Sequence, residues 1–330
     1  MIRTTTIAAA AGLAFATTLP AIPAHALTPA RDRVFVASYG SDTNTCTFGS
    51  PCKTFQHAVD VVATGGEVTA IDSAGFGPVT ITQSVTITSP NGVEAGIVAS
   101  GESAITINAT SAATITLRGL TLEGNDADAS GINLTSTGGG TLNIINTVVK
   151  DFVLDGILVQ PGSGTLTLMV TDVVVSDIGA WGINILPSGT ASVAGLIKRT
   201  TLSNNSVVGI SVDGSDTTGN VDVTIDDSAA VGGPSGLNAN GDGFAANSAT
   251  GAANSTMYLD NVTANNCEAG VRASNEAIVR MTRSALTRNE FGVDDASVVP
   301  PGAVYTFGDN DIAGNVGGDL NGALTPVAPQ

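Results

Sequence analysis

Three carboxylates, Asp226, Asp227 and Asp260, fall in successive members of a repeating pattern, next to Lys198 and Arg199 in the member before. Carboxylates gathered beside cations are the residue types of general acid–base catalysis and of cation binding, and this is the densest such group in the chain. Asp151 and Asp177 form a second pair one repeat apart. Stacked like charges repel unless they are solvated or bridged, so a calcium ion is one partner for them; bonds to the backbone of neighbouring turns, with Asn204 and Asp126 at the same edge, are the other. Asp155 and Trp181 each precede a Gly-Ile pair in consecutive repeats. An indole beside a carboxylate offers a stacking face to a carbohydrate ring if exposed and fills a corner if buried.

These residues become neighbours only if the chain repeats, and it does. Eight-residue windows begin at Leu117, Ile144, Val170, Ile197, Ile225, Leu259 and Met281, with spacings of 27, 26, 27, 28, 34 and 22 residues. Most are followed by a glycine and an aliphatic residue: Gly131-Ile132, Gly156-Ile157, Gly182-Ile183, Gly209-Ile210, Gly270-Val271 and Gly292-Val293. Ahead of them, segments such as Val79-Thr80-Ile81 and Ile105-Thr106-Ile107 alternate with period two, the mark of strands with one buried face. A β-rich unit at this period means a solenoid, because each unit buries its aliphatics only by stacking on the next.

In that register the third window position reads Gly119, Asn146, Asp172, Arg199, Asp227, Asn261 and Arg283. Stacked strands lie about 4.8 Å apart, so Arg199 is expected to separate Asp172 from Asp227 in an ion-paired ladder. Lys198 repeats the arrangement with Asp226 at the second position. The 34-residue step carries an insertion, 232–255, read as a loop or as one wall of a binding face. Arg272, Arg280, Arg283 and Arg288 concentrate positive charge in the last two coils, where Glu268, Glu276, Glu290, Asp294 and Asp295 are at hand to neutralise them.

Ahead of the coils, Phe55, Ala58, Val59 and Val62 share one face of a short helix that Thr54 caps and Gly65-Gly66 ends. A solenoid must cover its open apolar end, and an amphipathic helix does so. His57 sits beside that stripe as a surface residue. Cys46 and Cys52 flank a Gly49/Pro51 turn and are expected to form a disulfide. A zinc site is the sharper alternative, but with His57 alone nearby its ligand set is incomplete. Cys267 reads as a small buried residue. Residues 1–26, with Arg3, an apolar stretch and Ala24-His25-Ala26, read as a signal peptide, which places the mature chain outside the cytoplasm, secreted or periplasmic. The expected organisation is therefore a signal peptide over 1–26, a cap with disulfide loop and helix over 27–78, β-helix coils over 79–318 and a flexible tail over 319–330.

The Gly-Ile pairs, Asn204-Asn205 and Asn265-Asn266 at turns, and the cap preceded by Gly40-Ser41-Asp42-Thr43-Asn44-Thr45-Cys46 resemble exported right-handed parallel β-helix repeat proteins of the pectate-lyase-like superfamily. The resemblance spans about residues 34–318. It implies an all-β, right-handed parallel β-helix with a short N-terminal capping helix. Enzymes of this kind use calcium held by carboxylates with a basic residue as proton abstractor, or two to three Asp on adjacent strands for glycoside hydrolysis. By that analogy Asp226, Asp227 and Asp260 are the catalytic candidates, and the Arg272 to Arg288 group offers a lyase base. The hydrolase motifs Asn-Thr-Asp, Gly-Asp-Asp, Gly-His-Gly and Arg-Ile-Lys are all missing from the sequence.

Loss of Arg3 with the signal peptide takes the net charge from −17 to −18. Charge of that sign argues against nucleic acid as a partner, and no apolar stretch is long enough for a membrane span. The sequence thus points to a secreted repeat protein that binds extracellular polysaccharide, with a divergent lyase or hydrolase, or a structural surface protein, as alternatives.

Overall fold

Isoleucine, valine and threonine alternate through most of this chain, and glycine, asparagine and aspartate punctuate it, a composition that favours short strands over helices. In the computed structural model, which describes residues 31–99, 101–110, 112–125, 129–232, 241–252, 254–295 and 301–327, the strands fall into three parallel sheets of 12, 10 and 10 strands. Successive coils contribute one strand to each sheet, and neighbours within a sheet come from neighbouring coils. This is a right-handed parallel β-helix, in the handedness general to parallel crossover connections.

The register is the one the window spacings predict. In the 12-stranded sheet, the long sheet below, Leu117 pairs with Ile144, Ile144 with Val170, Val170 with Ile197, Ile197 with Ile225, Ile225 with Leu259 and Leu259 with Met281. All seven are buried in one continuous core. Each such side chain contributes about 1.5–3 kcal/mol, so a one-residue slip, which would turn the column outward, is strongly disfavoured.

Two backbone features explain residue types that chemistry alone does not. The third window position is a corner in the left-handed region: Asn146, Asp172, Arg199, Asp227, Asn261 and Arg283 all have φ between 47° and 57°, and Gly119 has 72°. Asn, Asp and Gly tolerate that conformation best, so the column recruits them whatever their function. A second such corner holds Asp151, Asp177, Asn204, Asn266 and Arg288. In the Gly-aliphatic pairs, a Cβ on Gly156, Gly182 or Gly209 would lie 2.6 Å from the carbonyl oxygen of the next coil's glycine, so side-chain-free stacking is what lets these coils close.

The cap matches its expected composition but not its boundaries. Helix α1 spans Phe55–Val61, with the Thr54 hydroxyl accepting from the His57 amide and Phe55, Ala58 and Val59 buried. It ends before Gly65-Gly66, which lie inside the strand Val62–Ala70; this strand pairs with Arg31–Val36 at the start of the long sheet. Cap and coils therefore share one sheet. Cys46 and Cys52 are joined as a disulfide.

Two regions differ from expectation. Part of the 232–255 insertion is strand Asp242–Asn247, which fills a place in a ten-stranded sheet and seats Phe244 between Ile210 and Val271. The Gly243-Phe244 pair continues the glycine column, hidden in sequence by the aromatic; residues 233–240 and 253 lie outside the described residues. The stretch after 318, expected as a flexible tail, carries the strands Gly318–Asn321 and Leu324–Pro326, which pair with the preceding coil. Leu324 packs against the core and Leu320, still 48% exposed, pairs with Val293, two apolar positions that the polar, proline-ended composition obscures. Residues 1–26, expected as a signal peptide, and Asp126 lie outside the described residues. Among those described, no helix is long and apolar enough to cross a membrane.

Candidate functional site

Strands Ser192–Lys198, Val221–Asp226 and Ser255–Asp260 place Lys198, Asp226 and Asp260 in register on the outer face of the long sheet, and the next residue of each coil turns the left-handed corner. The sequence-predicted carboxylates are therefore brought together, and each is already engaged. Lys198 Nζ pairs with Asp226 and lies 3.3 Å from Asp227 Oδ2. Arg283 Nη2 lies 2.5 Å from Asp260. Asn261 donates to Asp227 Oδ1 at 2.7 Å.

Arg199 stands between Asp172 and Asp227 in the corner column, as expected, and feels the charge of both, but its hydrogen bonds go to Asp172: it donates from Nε at 2.7 Å and from Nη2 at 2.9 Å, while Asp227 takes Lys198 and Asn261. A guanidinium fork matches one carboxylate in two bonds, so it favours one bidentate partner over two single ones. The Arg199 hydrogen bonds hold the Asp172 carboxyl below its usual range. The Asn261 amide, then the Lys198 ammonium, do the same for Asp227. Both are suited to accept hydrogen bonds as anions and unsuited to deliver a proton near neutral pH.

One position before each window begins lies a column that sequence reading missed. Tyr258 pairs with Arg280 and Arg280 with Tyr305 on the same outer face. The guanidinium carbon of Arg280 sits 5.6 Å from the Tyr258 ring centroid and 5.3 Å from that of Tyr305, a double cation–π contact. Tyr258 is 42% exposed. Beyond Thr224, Leu196 and Met169 continue the column towards the N-terminus, so apolar and aromatic residues, interrupted by Thr224 and Arg280, run alongside the ion-paired carboxylates. Its signal was available in the outward positions of the alternating strands.

Trp181 and Asp155 lie elsewhere, on the ten-stranded sheet that contains Ile157–Val159 and Trp181–Ile185. Trp181 is half-buried. Asp155 is only 7% exposed, and burial pushes its carboxyl up to about 6 against the lowering effect of hydrogen bonds from the Asn184 side chain and the Trp181 backbone. Its Oδ1 has no hydrogen-bond partner among the described residues. On the same sheet Arg272, expected on a solvated surface, is largely buried: it binds Asp242 through Nε at 2.6 Å, Asp294 through Nη1 at 2.5 Å and Glu268 through Nη2 at 3.0 Å. Burial pushes the Asp242 carboxyl up despite Arg272 beside it. Cys267 is buried too, and its thiol is pushed up to about 12.

At the second left-handed corner Asn204 donates to Asp177 Oδ1 at 2.7 Å, and Lys150 Nζ lies 3.4 Å from Asp151 and 3.3 Å from Glu123. A neutral amide and an ammonium thus occupy the carboxylates considered for calcium. Among the described residues, the group whose three ligand atoms lie within 4.8 Å of one another is Cys46, Cys52 and His57.

The sequence matches no protein-family model and no curated protein. Among solved structures the chain is similar to pectate lyase Pel9A, with a TM-score of 0.62 and 14% identity, covering 83% of this chain and 74% of that one. It is also similar to a rhamnogalacturonan lyase, with a TM-score of 0.54 and 13% identity, covering 83% and 75%. At these identities the likeness is one of fold, the parallel β-helix.

Proposed function

We propose that this β-helix binds polysaccharide outside the cytoplasm along the outer face of its long sheet, and does so without cleaving it. The observation that carries the reading is the Tyr258–Arg280–Tyr305 column beside Lys198, Asp226 and Asp260. Tyrosine rings present apolar faces to the C–H surface of a sugar, and flanking carboxylates and cations exchange hydrogen bonds with its hydroxyls. The parallel sheet repeats such positions along the solenoid, which suits an extended chain. Lysis or hydrolysis asks for a proton donor or a base of tuned pKa, whereas Asp172 and Asp227 are held as anions and the charged residues of the cluster are paired with one another. The two similar structures are lyases of pectate and rhamnogalacturonan, which supports a carbohydrate ligand by fold-level analogy only. The Cys46–Cys52 disulfide supports an oxidising compartment.

Calorimetry and product analysis with a panel of polyuronates and neutral glycans, with and without calcium, test this. Binding without new unsaturated or reducing ends is expected. Tyr258→Ala is expected to weaken it about 10-fold, equivalent to about 1.4 kcal/mol. New chain ends that disappear in the triple variant Asp226→Asn, Asp227→Asn, Asp260→Asn would replace this reading with a catalytic one.

A further inference from the structure

We propose that the cap is a thiol-gated zinc site: once the Cys46–Cys52 disulfide is reduced, Cys46, Cys52 and His57 bind one Zn²⁺. Spacing alone names two cysteines and one histidine, a set one short of four, and leaves open whether they meet. The fold brings these three together. Helix α1 begins directly after the cysteine loop, Thr54 fixes its first turn by accepting from the His57 amide at 3.2 Å, and the imidazole is thereby carried to the two sulfurs. The three ligand atoms lie within 4.8 Å of one another.

The surroundings suit a metal with one open position. Both cysteines are buried, and the imidazole has no side-chain hydrogen bond among the described residues. A cavity of about 260 Å³, lined by Arg31, Asp42, Asn44, His57 and Val61 among others, opens beside the imidazole, while the two sulfurs lie behind it and out of its lining, so a water entering as fourth ligand comes from the His57 side. Asp42 is not that ligand, since its oxygens accept from the Lys53 amide at 2.8 Å and from the Thr54 amide and hydroxyl at 3.0 and 2.9 Å. Two thiolates and an imidazole favour Zn²⁺ over harder cations, and the two thiolate charges cancel the ion's own, so a neutral centre is buried.

The chemistry balances with a low-molecular-weight thiol as reductant. Two such thiols reduce the protein disulfide, leaving two protein thiols and one small disulfide. Zn²⁺ then displaces two protons to form two Zn–S bonds. Reoxidation by a small disulfide reverses this, forming the S–S bond and expelling the ion. The cap is then cross-linked in either state, by metal when reduced and by sulfur when oxidised.

Titration of the full chain with Co²⁺, after reduction by a phosphine without air, tests the proposal. The expected result is one equivalent bound, with thiolate-to-cobalt absorption in the near ultraviolet and tetrahedral bands in the visible, displaced by Zn²⁺ and missing from the oxidised chain. His57→Ala is expected to weaken binding by more than the roughly 10- to 100-fold typical of an outer-shell partner, and Cys267→Ala to leave it unchanged. Hydrogen exchange should show residues 41–54 losing protection on reduction and regaining it with Zn²⁺. The proposal is overturned if reduced chain gives no thiolate-to-cobalt absorption, if His57→Ala binds like the parent, if Cys267→Ala abolishes the signal, or if Zn²⁺ restores no protection.

Discussion

Asp155 and Asp242 occupy the same column of one ten-stranded sheet, three coils apart, with Trp181 and Val208 between them. Each faces an outward residue of the following coil, Asn184 for Asp155 and Arg272 for Asp242. Burial raises both carboxyls. The partner decides what that burial does. An amide satisfies one oxygen of Asp155 but brings no countercharge, so its proton is retained to about pH 6. A guanidinium lets Asp242, Asp294 and Glu268 share one cation in a packed ionic cluster. The same backbone position thus makes a titrating site in one coil and an ionic staple in another.

The largest effect should come from breaking the staple. Arg272→Leu leaves Asp242 and the fully covered Asp294 without their cation, and urea unfolding is expected to show a loss of about 3–5 kcal/mol. Asp155→Asn should do the reverse. Because the folded chain holds the Asp155 proton more tightly than the unfolded chain, stability falls as pH rises from about 4 to about 6. The asparagine removes that loss, so the variant is expected to be more stable than the parent at pH 7 by up to about 3 kcal/mol and equal to it near pH 3. A gain that persists undiminished at pH 3 would assign it to packing instead.

Trp181 is the chain's single tryptophan and adjoins Asp155, so its fluorescence reports on this site. Emission is expected to shift with a midpoint near pH 6 in the parent and to stay flat in Asp155→Asn. The smallest effect is expected at the exposed corner: Arg199→Asn gives up the Asp172 pair but places a better residue at φ 47°, and the unfolding midpoint should not move measurably. A clear drop there would show that the exposed ladder contributes to stability after all.

Much of the fold was legible because it is written in local periodicities. The window spacings matched the strand register through all seven coils, since a buried aliphatic in the wrong register turns every neighbour outward. Where the pattern changed residue type it was misread. Phe244 stands where the other coils carry an aliphatic, and Leu320 and Leu324 are separated by Asn321, Gly322 and Ala323 and followed by Pro326, a composition that reads as a loop and a tail where strands form. The carboxylates of the long sheet were found by the same register, although the left-handed corners give Asp172 and Asp227 a conformational reason for their identity.

By itself, then, the sequence determined the solenoid, its register, the capping helix and the disulfide, because each depends on residues close in the chain or on a strict repeat. Only the tertiary structure decided which face each candidate occupies and which partner it has. Trp181 and the Asp226 to Asp260 cluster, both plausible sugar contacts in sequence, stand on different sheets. Tyr258 and Tyr305 meet across Arg280, and His57 meets two sulfurs, through juxtapositions between coils and between helix and loop. Periodicity dictates which side chains point outward; what an outward side chain touches depends on the neighbouring coil, whose residues at that position no repeat constrains.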